Sequence, residues 1–140
     1  MDTKITHFDG LTLYKIFADG ILNLVKHQNT LDEINVYPVP DGDTGTNMVF
    51  TLLPIVEECS EKITTTASDT YSLMANTALD SARGNSGTII AQYFYGMSEA
   101  NLNIEKVDVA NFAKGLINAN QSARDSLTNP EEGTIITVMK

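Results

Sequence analysis

The stretch Asn35-Val-Tyr-Pro-Val-Pro-Asp-Gly-Asp-Thr-Gly-Thr-Asn-Met48 sets two carboxylates, Asp41 and Asp43, on either side of one glycine. Pro38 and Pro40 fix their own φ angles and bias the residues before them towards extended backbone, so the chain is expected to reach the turn as a stiff arm. Gly42 and Gly45 then admit backbone angles that other residues avoid. Two acids followed by the neutral oxygens of Thr44, Thr46 and Asn47 match the ligand chemistry of a hard cation such as magnesium, which shares its remaining positions with water and phosphate. Asp-Gly-Asp is equally ordinary turn chemistry, and the two acids alone leave both readings open. The run beyond the turn decides the fold. Met48, Val49, Leu52, Leu53 and Val56 recur at helical spacing to about Ser60, so the turn opens onto a helix. Thr44 or Thr46 is expected to cap it, which would set free N–H groups and the positive helix end beside the acids as an anion site. Pro54 predicts a kink.

Upstream, Phe8 to Asn29 predicts a helix with Leu11, Tyr14, Phe17, Ile21, Leu24 and Val25 on one face, and Gly20 weakens it without breaking it. Downstream, Lys62–Ala67 reads as a connector, and Ser68 with Asp69 starts a third helix carrying Tyr71, Leu73, Met74, Ala75, Ala78 and Leu79. The loop Ala82-Arg83-Gly84-Asn85-Ser86-Gly87-Thr88 opens a fourth, with Ile89, Ile90, Tyr93, Phe94 and Met97 at helical spacing. Small residues at a helix start allow backbone N–H groups close to a phosphate, although such a loop also serves as a plain helix–helix turn. It lacks the Gly-Lys-Ser/Thr of a Walker A loop. Asp108 is expected to cap a fifth helix with Val109, Phe112, Ala113, Leu116, Ile117 and Ala123 inward, and Asn129-Pro130 to start a last one through Ile135, Ile136, Val138 and Met139. With no alternating strand pattern and no repeat, the fold class is all-α, an antiparallel bundle of amphipathic helices.

A chain of 140 residues, 42% hydrophobic and 19% charged, fits one globular domain. The net charge of −9 argues against a nucleic-acid-binding face, since phosphate backbones are gripped by clustered cations. A nucleotide remains compatible if a divalent ion offsets its charge beside the acids. His7 and His27 are expected as solvated residues. The single Cys59 is expected as a small buried hydrophobe in a reducing compartment. With no apolar run of membrane-spanning length and no signal-like N-terminus, the expected location is cytoplasmic.

Three segments together, residues 36–48, 82–90 and Glu132-Gly-Thr-Ile-Ile-Thr-Val138, resemble the nucleotide-binding domain of the dihydroxyacetone kinase L-subunit family, most closely its fatty acid kinase A branch. The resemblance spans essentially the whole chain. It implies a helical barrel with ATP and two magnesium ions at one end. By position, it makes Asp41 and Asp43 the metal ligands, with Asn35 in the place of a third aspartate found in the dihydroxyacetone kinase branch. Thr44, Thr46 and Asn47 would lie beside the nucleotide. Gly84, Asn85, Ser86 and Gly87 would line the phosphates, and Gly133 and Thr134 would close the site. Gly133 stands where that branch carries an acid. Family domains continue for further helices, so the 140 residues are expected to be an N-terminal part of a longer domain that need not act alone.

The implied activity is phosphoryl transfer from ATP to the carboxylate of a fatty acid held by a separate carrier protein. A glycerone-type acceptor and a nucleotide-binding module without turnover stand as alternatives. Apolar surface left uncovered by absent helices could pair copies of the chain.

Overall fold

The computed structural model describes residues 5–140. Seven helices are defined among them: α1 (Gly10–Lys26), α2 (Gln28–Glu33), α3 (Thr44–Glu58), α4 (Ala67–Asp80), α5 (Gly84–Glu99), α6 (Val109–Asp125) and α7 (Ile135–Val138). The fold is all-α, as the helical periodicity predicts, and among the described residues no helix is long and apolar enough to cross a membrane. Two pairs of residues depart from the strand-free expectation. β1 (His7–Phe8) runs antiparallel to β2 (Val107–Asp108), with His7 opposite Asp108 and Phe8 opposite Val107. Segments this short show no alternation that a sequence could reveal. Each runs into a capped helix start: the Asp9 carboxylate accepts the Thr12 N–H at 2.8 Å, and that of Asp108 accepts the Asn111 N–H at 2.7 Å.

The predicted first helix stops at Lys26 and resumes beyond His27 as α2, whose only apolar side chain, Leu31, is half-buried. Six residues with one apolar position carry no periodic signal, so packing beneath α3 decides this element. α3 is continuous across Pro54. The last helix begins at Ile135 rather than near Asn129. Gly133 is left-handed at φ +86°, which ends any helix started earlier, and Thr134 supplies the cap instead.

One core joins the long helices: Leu13 and Ile21 of α1, Leu52 and Ile55 of α3, Tyr71 and Met74 of α4, and Phe94 and Met97 of α5. Full burial of each aliphatic side chain is worth about 1.5–3 kcal/mol. Phe17 reaches Phe94 at 5.3 Å and meets Tyr71 edge-on at 6.4 Å between ring centroids. Cys59 is buried beside the Thr77 hydroxyl, as a small hydrophobe should be. The expected faces of α1 and α6 hold in part: Ile21 and Ala123 are buried, and Tyr14, Phe17, Leu24, Phe112 and Leu116 pack against the core. Leu11 is 51% exposed while Leu13 is fully buried, and Val109 and Ile117 are each 73% exposed. On α6 the buried positions are Gly115, Ala119 and Ala123. A Cβ on Gly96 of α5 would come within 2.7 Å of the Asn118 carbonyl and 2.9 Å of the Ala119 Cα. Small residues let the two axes approach, and of the larger side chains of α6 Val109 and Ile117 stay exposed while Phe112 and Leu116 pack against the core.

Gly96→Ala is accordingly expected to cost about 1–3 kcal/mol, because backbone atoms must move to admit the methyl group. Gly20→Ala, at a mid-helix position with open space around its Cβ, should instead stabilise by up to about 1 kcal/mol. Denaturant unfolding of the two variants checks both signs, and equal effects would refute the close α5–α6 contact.

Candidate functional site

The acid turn is held from behind by two side chains. Asn35 bridges the Pro-x-Pro arm: its amide Nδ2 donates to the Val39 carbonyl at 3.0 Å, and its Oδ1 accepts the N–H groups of Asp43 and Thr44 at 3.1 and 3.3 Å. The oxygen expected to face a cation is thus engaged by two backbone donors. Gly42 supports the reversal with φ +64°. Asp32, at the end of α2, accepts the Thr46 N–H at 2.9 Å on one carboxylate oxygen and the Thr46 hydroxyl at 2.7 Å on the other. Gln28 donates to the same hydroxyl at 3.0 Å, so Thr46 is turned into this network. Partial burial pushes the Asp32 carboxyl up, but the Thr46 hydroxyl and the Thr46 and Gly45 N–H groups outweigh it and hold it below its ordinary value. The positive end of α3, expected to offer free N–H groups to an anion, is therefore already served by Asp32 and Asn35. Sequence reading missed Asp32 and Gln28 because both sit on the unpatterned α2.

The second segment lies directly against the first. Ser86 Oγ donates to the Thr44 carbonyl at 3.2 Å, joining the starts of α5 and α3. Side chains at Gly84 and Gly87 would run into the Asn47 amide and the Thr51 hydroxyl, so these glycines serve first to bring the two helices together. Thr51 also accepts the Arg83 N–H at 3.2 Å. Neither helix is capped by its own N-cap side chain, but Asn35 and Asp32 accept N–H groups at the start of α3, and no side chain does so at the start of α5 among the described residues.

The third segment is joined to the arm by one bond. Tyr37 donates its phenol O–H to Glu131 at 3.1 Å, and that bond raises the Tyr37 pKa. Gly133 and Thr134 bond within their own segment: the Gly133 N–H donates to Thr137 Oγ1 at 2.8 Å and the Thr134 hydroxyl to the Glu131 carbonyl at 2.7 Å. Glu132 accepts from Thr137, Lys140 and Arg124, and these bonds hold its carboxyl down at about 2.

What the turn leaves uncommitted is informative. Among the described residues, no hydrogen bond or ion pair engages the carboxylates of Asp41 and Asp43, and the side chains of Asn47 and Asn85 are likewise unbonded. No three His, Cys, Asp or Glu side chains gather into a cage among the described residues. A pair of open carboxylates without a third acid suits magnesium, which keeps water and phosphate oxygens in its shell, and fits calcium poorly. A cleft of about 550 Å³ between α5 and α6, lined among others by Thr88, Gln92, Asn118, Gln121, Ser122 and Asp125, shares no residue with the acid turn.

The model of the DAK2 domain matches residues 38–140, from the Pro-x-Pro arm to the closing segment. The chain belongs to the DAK2 domain family. That family is dihydroxyacetone-kinase-like, and the domain carries both the acid turn and the α5 loop. Among similar proteins, protein YloV of Bacillus subtilis is 35% identical over 137 residues, which is 98% of this chain and 25% of YloV. An uncharacterized protein of Staphylococcus saprophyticus is 34% identical over 136 residues, covering 97% of this chain and 25% of that one. One of Staphylococcus aureus is 38% identical over 135 residues, covering 90% and 24%. The chain thus spans about a quarter of the length of the curated relatives it matches.

Asp32→Ala is expected to lower stability at neutral pH by about 1 kcal/mol, the usual cost of removing a cap from a helix start. A carboxyl held below its unfolded value of 3.8 contributes above that pH and loses its contribution as pH falls through the folded value. The stability gap between wild type and variant should therefore close under acid. A gap that persisted there would assign the effect to something other than the Thr46 and Gly45 bonds.

Proposed function

We propose that this chain is the nucleotide-binding part of a kinase that transfers the terminal phosphoryl group of ATP to the carboxylate of a fatty acid presented by a separate carrier protein. The observation that carries this reading is the pair of uncommitted carboxylates, Asp41 and Asp43, on a turn clamped by Asn35 and packed against the α5 loop through Ser86. DAK2 membership supports nucleotide-dependent phosphoryl chemistry, and the three-segment resemblance to the fatty acid kinase branch supports the acceptor.

Asp41 and Asp43 would hold the metal ions, which when bound would offset charge on the transferring phosphoryl group. The α5 start, with Gly84, Asn85 and Ser86, would receive the phosphates on backbone donors, and Thr44 and Asn47 would flank the nucleotide. Asn35 acts from behind, fixing the height of the acids. An acyl carboxylate is ionised at neutral pH, so its oxygen attacks the phosphorus as the bond to the β-phosphate oxygen breaks, and the products are acyl phosphate and ADP. No proton has to be removed. Gly133 and Thr134 would close the site, linked to the arm through Glu131 and Tyr37. A small hydroxylated ketone is the second acceptor class, favoured by family membership alone. That acceptor would need a general base from the partner, and a screen of both acceptors with each partner separates the two.

In the intact protein, Asp41→Ala and Asp43→Ala should each reduce turnover by orders of magnitude with little change in unfolding temperature, because neither carboxylate is bonded within the fold. A double variant with near-native turnover would refute the assignment. Binding of ATP with magnesium but no transfer to either acceptor would instead mark a binding module.

A further inference from the structure

Arg83 precedes the α5 loop and is one of two arginines in the chain. The other, Arg124, is committed to Glu132 at 3.0 Å. Arg83 makes no ion pair among the described residues, in a chain with eighteen acids against nine Lys and Arg. Its guanidinium lies over the Phe50 ring, 4.6 Å from the centroid, in an open hollow of about 350 Å³ that Asp80 also lines. Phe50 is 52% exposed, and a large aromatic left at the surface of α3 is accounted for by this stack. The Arg83 backbone is fixed by the bond from its N–H to Thr51, and the next residue, Gly84, abuts Asn47. The position of the cation is therefore anchored one residue from the α5 start, while its head is held only by an exposed stack. Such a stack is weaker than the paired charge-assisted bonds a guanidinium makes to phosphate oxygens, so a phosphate can displace the ring.

We propose that Arg83 is a positioning residue for the nucleotide, a ligand of its outer phosphates that rests on Phe50 when no phosphate is bound. The inference rests on the kinase reading and adds to it a protein cation whose backbone adjoins the α5 start. A planar fork of fixed donors would fix the orientation of the triphosphate that metal ions alone leave free to swivel.

The test is calorimetric titration of the intact protein with ATP and ADP in the presence of magnesium, and with AMP, for wild type, Arg83→Gln and Arg83→Lys. Arg83→Gln should weaken ATP by about tenfold or more, the loss of a charge-assisted pair, weaken ADP less and leave AMP unchanged. Arg83→Lys should recover part of the loss, since it keeps the charge without the fork. Equal weakening of all three nucleotides would indicate a structural role and overturn the proposal, as would unchanged ATP affinity in Arg83→Gln. Should Arg83→Gln fail to fold, Arg83→Lys decides: a loss confined to ATP and ADP supports the proposal, and an unchanged preference for ATP over AMP overturns it. Wild type that binds no ATP defeats the kinase reading itself, which is a separate result.

Discussion

The candidate site depends on the contact between the starts of α3 and α5. Gly84 and Gly87 have no side chain to hold the helices apart, and Ser86 spans the gap to the Thr44 carbonyl. Once this contact forms, the acid turn and the glycine-serine loop become one surface, although they are about forty residues apart in the chain. A methyl group at Gly87 would press on the Thr51 hydroxyl and the Asn47 carbonyl, and one at Gly84 would displace the Asn47 side chain. Segments far apart in sequence are brought together at the cost of chain entropy, and here the buried faces of α3, α4 and α5 offset it.

The distribution of charged groups distinguishes what supports the fold from what remains for a ligand. Asp9 and Asp108 cap helices, Asp32 satisfies the start of α3, and Glu132 ties together Arg124, Thr137 and Lys140. These acids are used up by backbone donors or by cations. Asp41, Asp43 and Arg83 are not, and all three sit at or beside the same pair of helix starts. On the proposed reading, the acids would serve the metal and the cation the phosphate.

The arm that carries the acids is exposed and apolar, with Ile34, Val36, Tyr37 and Val39 all open to solvent. It keeps its shape through Asn35 on one side and the Tyr37–Glu131 bond on the other. That second bond joins the acid turn to the closing segment, so the three motifs recognisable in the sequence form a connected chain of contacts rather than three independent loops. Loops positioned in this way by a rigid helical scaffold commonly carry function.

By itself the sequence determined the helical class, the places of the five long helices and the three motif segments, because apolar periodicity and glycine placement are local signals. It also singled out Asp41, Asp43 and the Ser86 loop, whose residue types state their chemistry without neighbours. Only the tertiary structure decided that Leu13 rather than Leu11 is buried on α1, and that Ala119 of α6 meets Gly96 where α5 and α6 approach. It alone placed α2, whose Asp32 and Gln28 serve a helix start more than ten residues further on, a pairing that no spacing rule encodes. It alone, too, set Arg83 on Phe50 rather than on an acid, because such a partner is chosen by how two helices pack.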